Sequence, residues 1–566
     1  MIRRRFIPLL ILGALLLAVA VGCAKQGYPS GGPVDRTPPK VLGTTPHNAT
    51  ANFTAKEFSL QVDEYVTIKD ADNNILVSPP LKQKPECAVR GHKLVVHIKD
   101  TLQENTTYLF QFKGAIVDFN EGNPLQSFEY VFSTGDNIDS MTLQGRVVDA
   151  LTLKASKEVV SVLAYSETVS DSAVALEQPM YYTRCDTGGH FAFNHIAAGR
   201  YRLVALVDGD RNLRLNPGEA MAFLDSAVTA MPMPQPQDST TPTQEEYEMR
   251  LSLRVVEQQR VTESKTLGTG HFRIVTKTPL TDRYTVDHLM SDNTLELHIH
   301  RNTHGDTLDI WTAPQPKDSI VLLLHDDTTL NDTLTFRSNN KLNSQLTPLS
   351  SQLSPLKVQS LMARDHPYYD TLRLQMETPV AVIDTSMSLQ VMNLKDSTIS
   401  LHKAYLKGSS VQSPRSNSSL DAWIDFPGTA GGNYQITLPA GMMTDIYGRK
   451  NDSLVITTTY TKPENYGSIS LTVETQRIAP QGNLLVQLLN EKGDVMRQTS
   501  LSAPGTATFP HLKAGKYKFR LVNDTHGDGQ WTPGDYWTKQ QPDEVIYLDK
   551  VLDLRENWEI NEQFHW

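Results

Sequence analysis

The sequence predicts an all-β chain built as tandem β-sandwich domains, and three observations predict it. Apolar and polar residues alternate at period 2 along the body, as at Phe58, Leu60 and Val62, at Phe128, Tyr130 and Phe132, and at Ile469, Leu471 and Val473. Clusters of Gly, Pro, Asn and Asp separate these runs at roughly 8–15 residue spacing, the rhythm of all-β sandwiches. The third observation is length. At 566 residues the chain is too long for one core, and domains of ~100–150 residues predict four or five.

Composition narrows the partners. There are 53 Lys+Arg against 63 Asp+Glu, a formal net charge of −10. An acidic balance argues against nucleic acid, which needs a basic face to neutralise phosphates. Only 3 cysteines exclude a disulfide-stapled scaffold and a Cys-rich zinc module. The 33 Gly and 32 Pro are spread evenly, which excludes collagen-like and low-complexity chains.

The first element is an address. Arg3, Arg4 and Arg5 precede an apolar run from Phe6 to Val21, the anatomy of a signal peptide over residues 1–22. The sequence Ala20-Val21-Gly22-Cys23 resembles the lipobox of bacterial lipoproteins. In that family the cysteine becomes the lipidated N-terminus, so the resemblance implies lipid attachment at Cys23. Each buried CH₂ of an acyl chain contributes about 0.8 kcal/mol of membrane affinity. Removing residues 1–22 removes three arginines and takes the charge from −10 to −13. The body has no other long apolar run and is expected outside the bilayer. Cys87 and Cys185 then remain, in different predicted domains, each expected to be an unpaired buried thiol.

The next elements follow from an internal repeat. Residues 193–219 (F-N-H-I-A-A-G-R-Y-R-L-V-A-L-V-D-G-D-R-N-L-R-L-N-P-G-E) align without a gap with residues 509–535 (F-P-H-L-K-A-G-K-Y-K-F-R-L-V-N-D-T-H-G-D-G-Q-W-T-P-G-D) at an offset of 316. F-S-L-Q-V-D-E-Y-V at 58–66 resembles L-R-L-Q-M-E-T-P-V at 372–380, offset 314, and Gly114 to Asp118 resembles Gly441 to Asp445. Two segments with nearly one offset predict a duplicated pair of domains. The expected order is a lipid tether (23–36), a first domain (37–137), a second (138–230), a linker (231–246), a middle domain (247–350), then copies of the first (354–461) and second (463–566). The linker is rich in Pro, Gln and Thr and shows no apolar period.

The stretch C-A-K-Q-G-Y-P-S-G-G-P-V-D-R-T-P-P-K-V at 23–41, with S-L-Q-V-D-E-Y-V and V-D-F-N-E-G-N-P-L further on, resembles the Bacteroidetes Ig-like lipoproteins. Their first domain is the bacterial Ig-like type also seen in S-layer proteins. The motif F-x-H-[IL]-x-A-G-[RK]-Y resembles the transthyretin-like, carboxypeptidase-regulatory β-sandwich. The resemblance implies Ig-like domains at 37–137 and 354–461 and regulatory-like sandwiches at 138–230 and 463–566. Surface-exported lipoproteins of this phylum often carry acidic residues after the cysteine. Ala24-Lys25-Gln26-Gly27 lacks them, which implies the periplasmic face of the outer membrane.

Four features carry candidate chemistry. Asp208, Asp210, Asn212 and Glu219 occupy positions 1, 3, 5 and 12 of a Ca²⁺-loop pattern, oxygen donors at the spacing a hard cation needs. Leu213 stands where that pattern has Gly, and the plainer reading is a hairpin turn. The second copy offers Asp524, His526, Asp528, Gly529 and Asp535, with a histidine at position 3. His298, His300 and His304 put two imidazoles on one strand face. Since Leu295, Leu297 and Ile299 take the alternate face, the histidines are expected on the solvent side with Glu296. Trp531, Trp537, Trp558 and Trp566 crowd the last 36 residues with Tyr536 and Phe564. They either form a binding platform, with Trp531 and Trp537 as its candidate residues, or fill the last core. Finally, Asp-[Ser/Thr] before an aliphatic, Met or Thr occurs at 12 sites, where average composition gives roughly two or three. It resembles the O-glycosylation sequon of Bacteroidetes envelope proteins, and Asp-Ser and Asp-Thr also open turns.

Enzyme templates are missing from the sequence: no G-x-S-x-G, H-E-x-x-H, Walker A, C-x-x-C or dinucleotide fingerprint. Asp63 and Glu64 are adjacent strand residues and point to opposite faces. The expected function is therefore non-catalytic: a lipid-anchored envelope protein with a structural or adhesive role, its partners the membrane, an envelope protein or a glycan. A carbohydrate-binding protein and a divergent hydrolase with an interdomain site are the two rival readings.

Overall fold

The computed structural model describes residues 35–233, 246–254, 258–268, 270–289, 295–313, 319–327, 330–337, 354–406, 411–412, 419–474 and 482–565. The expected signal peptide 1–22, Cys23, most of the expected tether and linker, and Trp566 lie outside the described residues. The chain divides into two compact units. The first holds the described residues up to Ser252 together with Asp535–Gln541, and the second holds the remainder. Almost every element is a strand.

The first unit opens with a sandwich. One sheet runs in the order Val41–Thr45, Glu57–Val62, Lys93–His97, Glu86–Arg90, and the facing sheet in the order Ile75–Ser78, Thr107–Phe112, Phe128–Ser133. Their inner faces meet in an aromatic core. Phe58 stacks on Tyr130 at 4.0 Å and meets Phe110 edge-on at 5.0 Å, while Phe53 stacks on Phe132 at 3.9 Å. A short ribbon of Val66–Ile68 and Ile116–Asp118 closes one end.

The second sandwich is centred on Met141–Asp149, flanked by His190–Ile196. The opposing sheet is Tyr181–Arg184, Ser161–Ser166, Arg200–Leu206 and Met221–Phe223, with Val228–Thr229 added at Arg200. Period-2 alternation sends Val162, Ala164, Leu203 and Ala205 to the inner core. It sends Leu163, Tyr165, Val204 and Leu206 to the outer face. That outer face is also apolar and is covered by Phe223, Val174 and Tyr536. Tyr536 lies edge-on to Phe223 at 5.4 Å, and Gln541 Nε2 donates to Asp225 Oδ1 at 2.7 Å. Lys539 Nζ stands 3.7 Å from the Tyr536 ring centre and 2.8 Å from Asp171. Tyr536 thus fills a core, but the outer core of the second sandwich rather than that of the last domain.

Two boundaries need correction. Met231–Pro232, expected to open the linker, pairs antiparallel with Met141–Thr142. Tyr247–Leu251, expected to open the middle domain, runs parallel to Met141–Asp149 and completes the second sandwich. A parallel partner can sit far along the chain, so spacing does not betray it. The last domain repeats the device: Glu559–His565 lies parallel to Gly467–Glu474, whose other neighbour is Gly505–Leu512. Its second sheet, Val495–Leu501, Asn483–Leu489, Gly515–Asp524 and Glu544–Tyr547, follows the same order as its counterpart.

In the second unit the middle module pairs Val261–Gly268, His271–Thr276, Thr307–Ala313 and Glu296–Arg301 in one sheet, facing Thr285–His288, Ser319–Asp326 and Leu330–Arg337. The sandwich after it carries Leu372–Ile383 against Ser419–Ile424 and, at its far end, Met443–Asp445. Val380 pairs with Asp445 there, as Val66 pairs with Asp118 in the first domain.

A glycine stands at the start of the parallel pairing in both copies, Gly145 as its first residue and Gly467 just before it. A Cβ at Gly145 would stand 2.3 Å from the Tyr247 carbonyl oxygen, and one at Gly467 2.6 Å from the Trp558 carbonyl oxygen. Only a residue without Cβ admits the extra strand. Gly145→Ala is therefore expected to destabilise the second sandwich by about 1–3 kcal/mol. Hydrogen exchange would quicken in Tyr247–Leu251, and unchanged exchange there would detach that strand from the domain.

Candidate functional site: a carboxylate-tied loop beside a basic cleft

The Arg200–Leu206 strand runs into the loop Asp208–Glu219, and the loop amides determine its shape. Asp208 Oδ1 accepts from the Asn212 amide at 3.1 Å and Oδ2 from the Leu213 amide at 3.0 Å. Glu219 accepts from the Gly209 and Asn216 amides at 3.1 and 2.9 Å, and Asp210 Oδ2 accepts from Asn212 Nδ2 at 2.9 Å. The structure brings Asp208, Asp210 and Glu219 together, with ligand oxygens within 4.8 Å of one another. Asn212 is committed elsewhere, its Oδ1 accepting from the Arg214 amide at 2.7 Å. Burial pushes the Asp208 carboxyl up, the Leu213 amide opposes it, and Asp210 and Glu219 add to the rise.

The second copy uses the same tie. Asp524 is fully buried and accepts from the amides of Gly527 and Gly529 at 2.7 and 2.8 Å. Leu213 takes φ +57°, the left-handed backbone that Gly529 takes at +77°. The position holds its turn with either residue, at a conformational cost for leucine.

Beside the loop lies a cleft of about 380 Å³ between the two sandwiches of the first unit. Lys82, Lys84, Arg184, Arg211 and Arg214 line it, with Asp72 as its carboxylate. Its apolar wall includes Ile75, Val77 and Leu81. The floor joins the sandwiches. Arg184 Nη1 donates to the Asn73 carbonyl, Lys113 Nζ to the Arg184 carbonyl at 2.9 Å, and the Tyr182 amide to Ser78 Oγ at 3.2 Å. Gln178 Nε2 holds the loop by donating to the Asn212 carbonyl at 3.0 Å. The sequence hides this site, because its cations are scattered from residue 82 to residue 214 in an acidic chain.

The other candidates do not assemble. His298 is buried at 2% exposure, not on the solvent side as its strand pattern predicts. It pairs across the sheet with Trp311, which packs on Leu420 in a second apolar cluster covering that face. Burial pulls the His298 imidazole down, and His304 is exposed. Among the described residues only Asp208, Asp210 and Glu219 gather as metal-ligating groups. Trp531 is half-buried, its Nε1 donating to the Asp543 carbonyl at 3.1 Å. Trp537 is 58% exposed. Cys87 and Cys185 are unpaired and half-buried, and burial raises their thiols to about 11 and about 12.

The amides already engage the loop carboxylates. The expected outcome is coincident melting curves for the chain in Ca²⁺ and in EGTA, and a rise of several degrees with Ca²⁺ would make the loop a cation site.

Residues 35–134 match the family of the bacterial Ig-like domain. None of the curated proteins matches the chain. Among solved structures, the chain is similar to domains 1–6 of the surface layer protein SbsC, at 12% identity and TM-score 0.15, over 92% of this chain and 67% of that one. It is similar to BcpA, the major pilin subunit of Bacillus cereus, at 9% and 0.15, over 75% and 98%. It is similar to Bacteroides ovatus SGBP-B, solved with a mixed-linkage heptasaccharide, at 9% and 0.17, over 72% and 93%. The chain is a series of β-sandwiches whose first member matches the bacterial Ig-like domain.

Proposed function

We propose that the chain is a lipid-anchored cell-envelope protein whose tandem sandwiches do non-catalytic work, structural or binding. The observation that carries this reading is the order of parts: a lipobox-like Cys23, a short tether, and then a bacterial Ig-like domain at 35–134. A fold alone implies no activity, and the absence of enzyme motifs from the sequence favours binding over catalysis. The periplasmic face of the outer membrane is the location we favour, from the residues after Cys23.

A glycan-binding reading rests on Trp537, whose exposed ring suits stacking on a sugar. Trp531 contributes less to it, since its indole N–H is already engaged. Surface glycosylation is a further part of the proposal. In the Asp-[Ser/Thr] sites, Thr101, Ser140, Ser172, Ser226, Thr333, Thr371, Ser397 and Ser453 are all exposed, as an attached glycan requires.

Two measurements test this reading. Cys23→Ser is expected to abolish incorporation of labelled palmitate and to release the chain from the membrane fraction. Retention of both would remove the lipid anchor. Mass spectrometry of the chain from its native envelope is expected to find hexose-bearing peptides at several of those hydroxyls, and unmodified peptides at all of them would remove the glycosylation.

A further inference from the structure

The basic cleft of the first unit is an unassigned site, and its charge is the reverse of the chain's. Five cationic side chains line it against one carboxylate, Asp72, which is 3.3 Å from Lys84. Among the described residues no carboxylate pairs with Lys82, Arg184, Arg211 or Arg214. A concentration of like charge is repulsive, and it persists where an anion is its complement.

The way the cations are held points the same way. Arg211 and Arg214 ride on a loop tied by Asp208, Asp210 and Glu219, whose oxygens accept backbone amides. Arg211 itself is held at φ +62°. Maintaining non-glycine residues in left-handed backbone costs free energy. The ties hold the loop tip against the cleft in spite of it. Guanidinium groups suit planar or tetrahedral oxyanions, which they grip through paired N–H donors. A volume of about 380 Å³ falls within the range of small-molecule clefts. Leu81 and Val77 offer an apolar wall, and Tyr182 adds an aromatic ring that suits a carbon skeleton beside the charges.

We infer that this cleft binds a multiply charged oxyanion ligand, with carboxylate, sulfate or phosphate groups carried on a saccharide-sized body. Arg211 and Arg214 grip the charged groups from the loop side, and Lys82 and Lys84 from the first sandwich. Arg184 stays with the floor, where it holds the two sandwiches together. This inference rests on the reading of the chain as a binding protein. Its failure would leave the Cys23 result unchanged, so the two fail separately.

The test is calorimetry on the full chain with trigalacturonate, a sulfated disaccharide and inorganic pyrophosphate, with cellotriose as the neutral probe. At least one anionic probe is expected to bind, more weakly at 0.5 M salt than at 0.05 M. The Arg211→Gln/Arg214→Gln pair and, independently, the Lys82→Gln/Lys84→Gln pair are each expected to lower that affinity at least tenfold at unchanged melting temperature. Lys395→Gln, on an exposed turn of the second unit, is expected to leave it unchanged. The preferred probe then identifies the charged group as carboxylate, sulfate or phosphate. Absence of binding by all three anions would overturn the inference. So would equal affinity in both paired variants, or cellotriose binding as tightly as trigalacturonate.

Discussion

A loop that leaves a strand carries backbone amides with no sheet partner, and in every module a buried or half-buried aspartate collects them. Asp118 accepts from the amides of Glu121, Gly122 and Asn123 at 2.6, 2.8 and 2.9 Å. Asp445 accepts from those of Tyr447 and Arg449, and Asp326 from that of Thr281. Asp208 and Asp524 do the same in the second and the last sandwich. Hydrogen bonds to a charged acceptor are worth about 1.5–3 kcal/mol, and an orphaned amide costs a similar amount. These ties let short loops hold the sandwich ends by hydrogen bonds to the backbone. They also show that part of the acidic composition is structural.

The same tie has different electrostatic outcomes. At Asp118 burial raises the carboxyl, but the amides of Gly122, Glu121 and Asn123 outweigh it and hold the group below its usual range. At Asp208 burial prevails, reinforced by Asp210 and Glu219. The loop that crowds three carboxylates is the one that carries two arginines to the cleft. Three carboxylates and two arginines thus share one loop of a dozen residues, and of these only the arginines line the cleft.

Much of this was legible because it is local or repeated. Period-2 alternation marks Phe58, Leu60 and Val62 as core, and all three are buried. The gapless 316-residue repeat pairs Asp208 with Asp524 and Leu213 with Gly529, and each pair plays one part in both copies. It also pairs His195 with His511, at φ +55° and +56°. What was not legible depends on a second covered face or a distant partner. His298 looks like a solvent-facing residue until Trp311 and Leu420 cover its side of the sheet. Tyr536 belongs to a core formed by residues more than 300 positions earlier. The cleft arises where two sandwiches meet, and none of its cations is unusual by itself.

The parallel strand has a bearing on how the chain is made. Met141–Asp149 has His190–Ile196 on one side within its own stretch of sequence, but most of its other edge waits for Tyr247–Leu251. During synthesis or export that edge stays open for about a hundred residues of elongation. Open edges recruit foreign strands, and delay lengthens the exposure. The edge of the second sandwich is therefore complete only once Tyr247–Leu251 has been made. A chain halted before residue 251 would be sticky in a way that the finished protein is not.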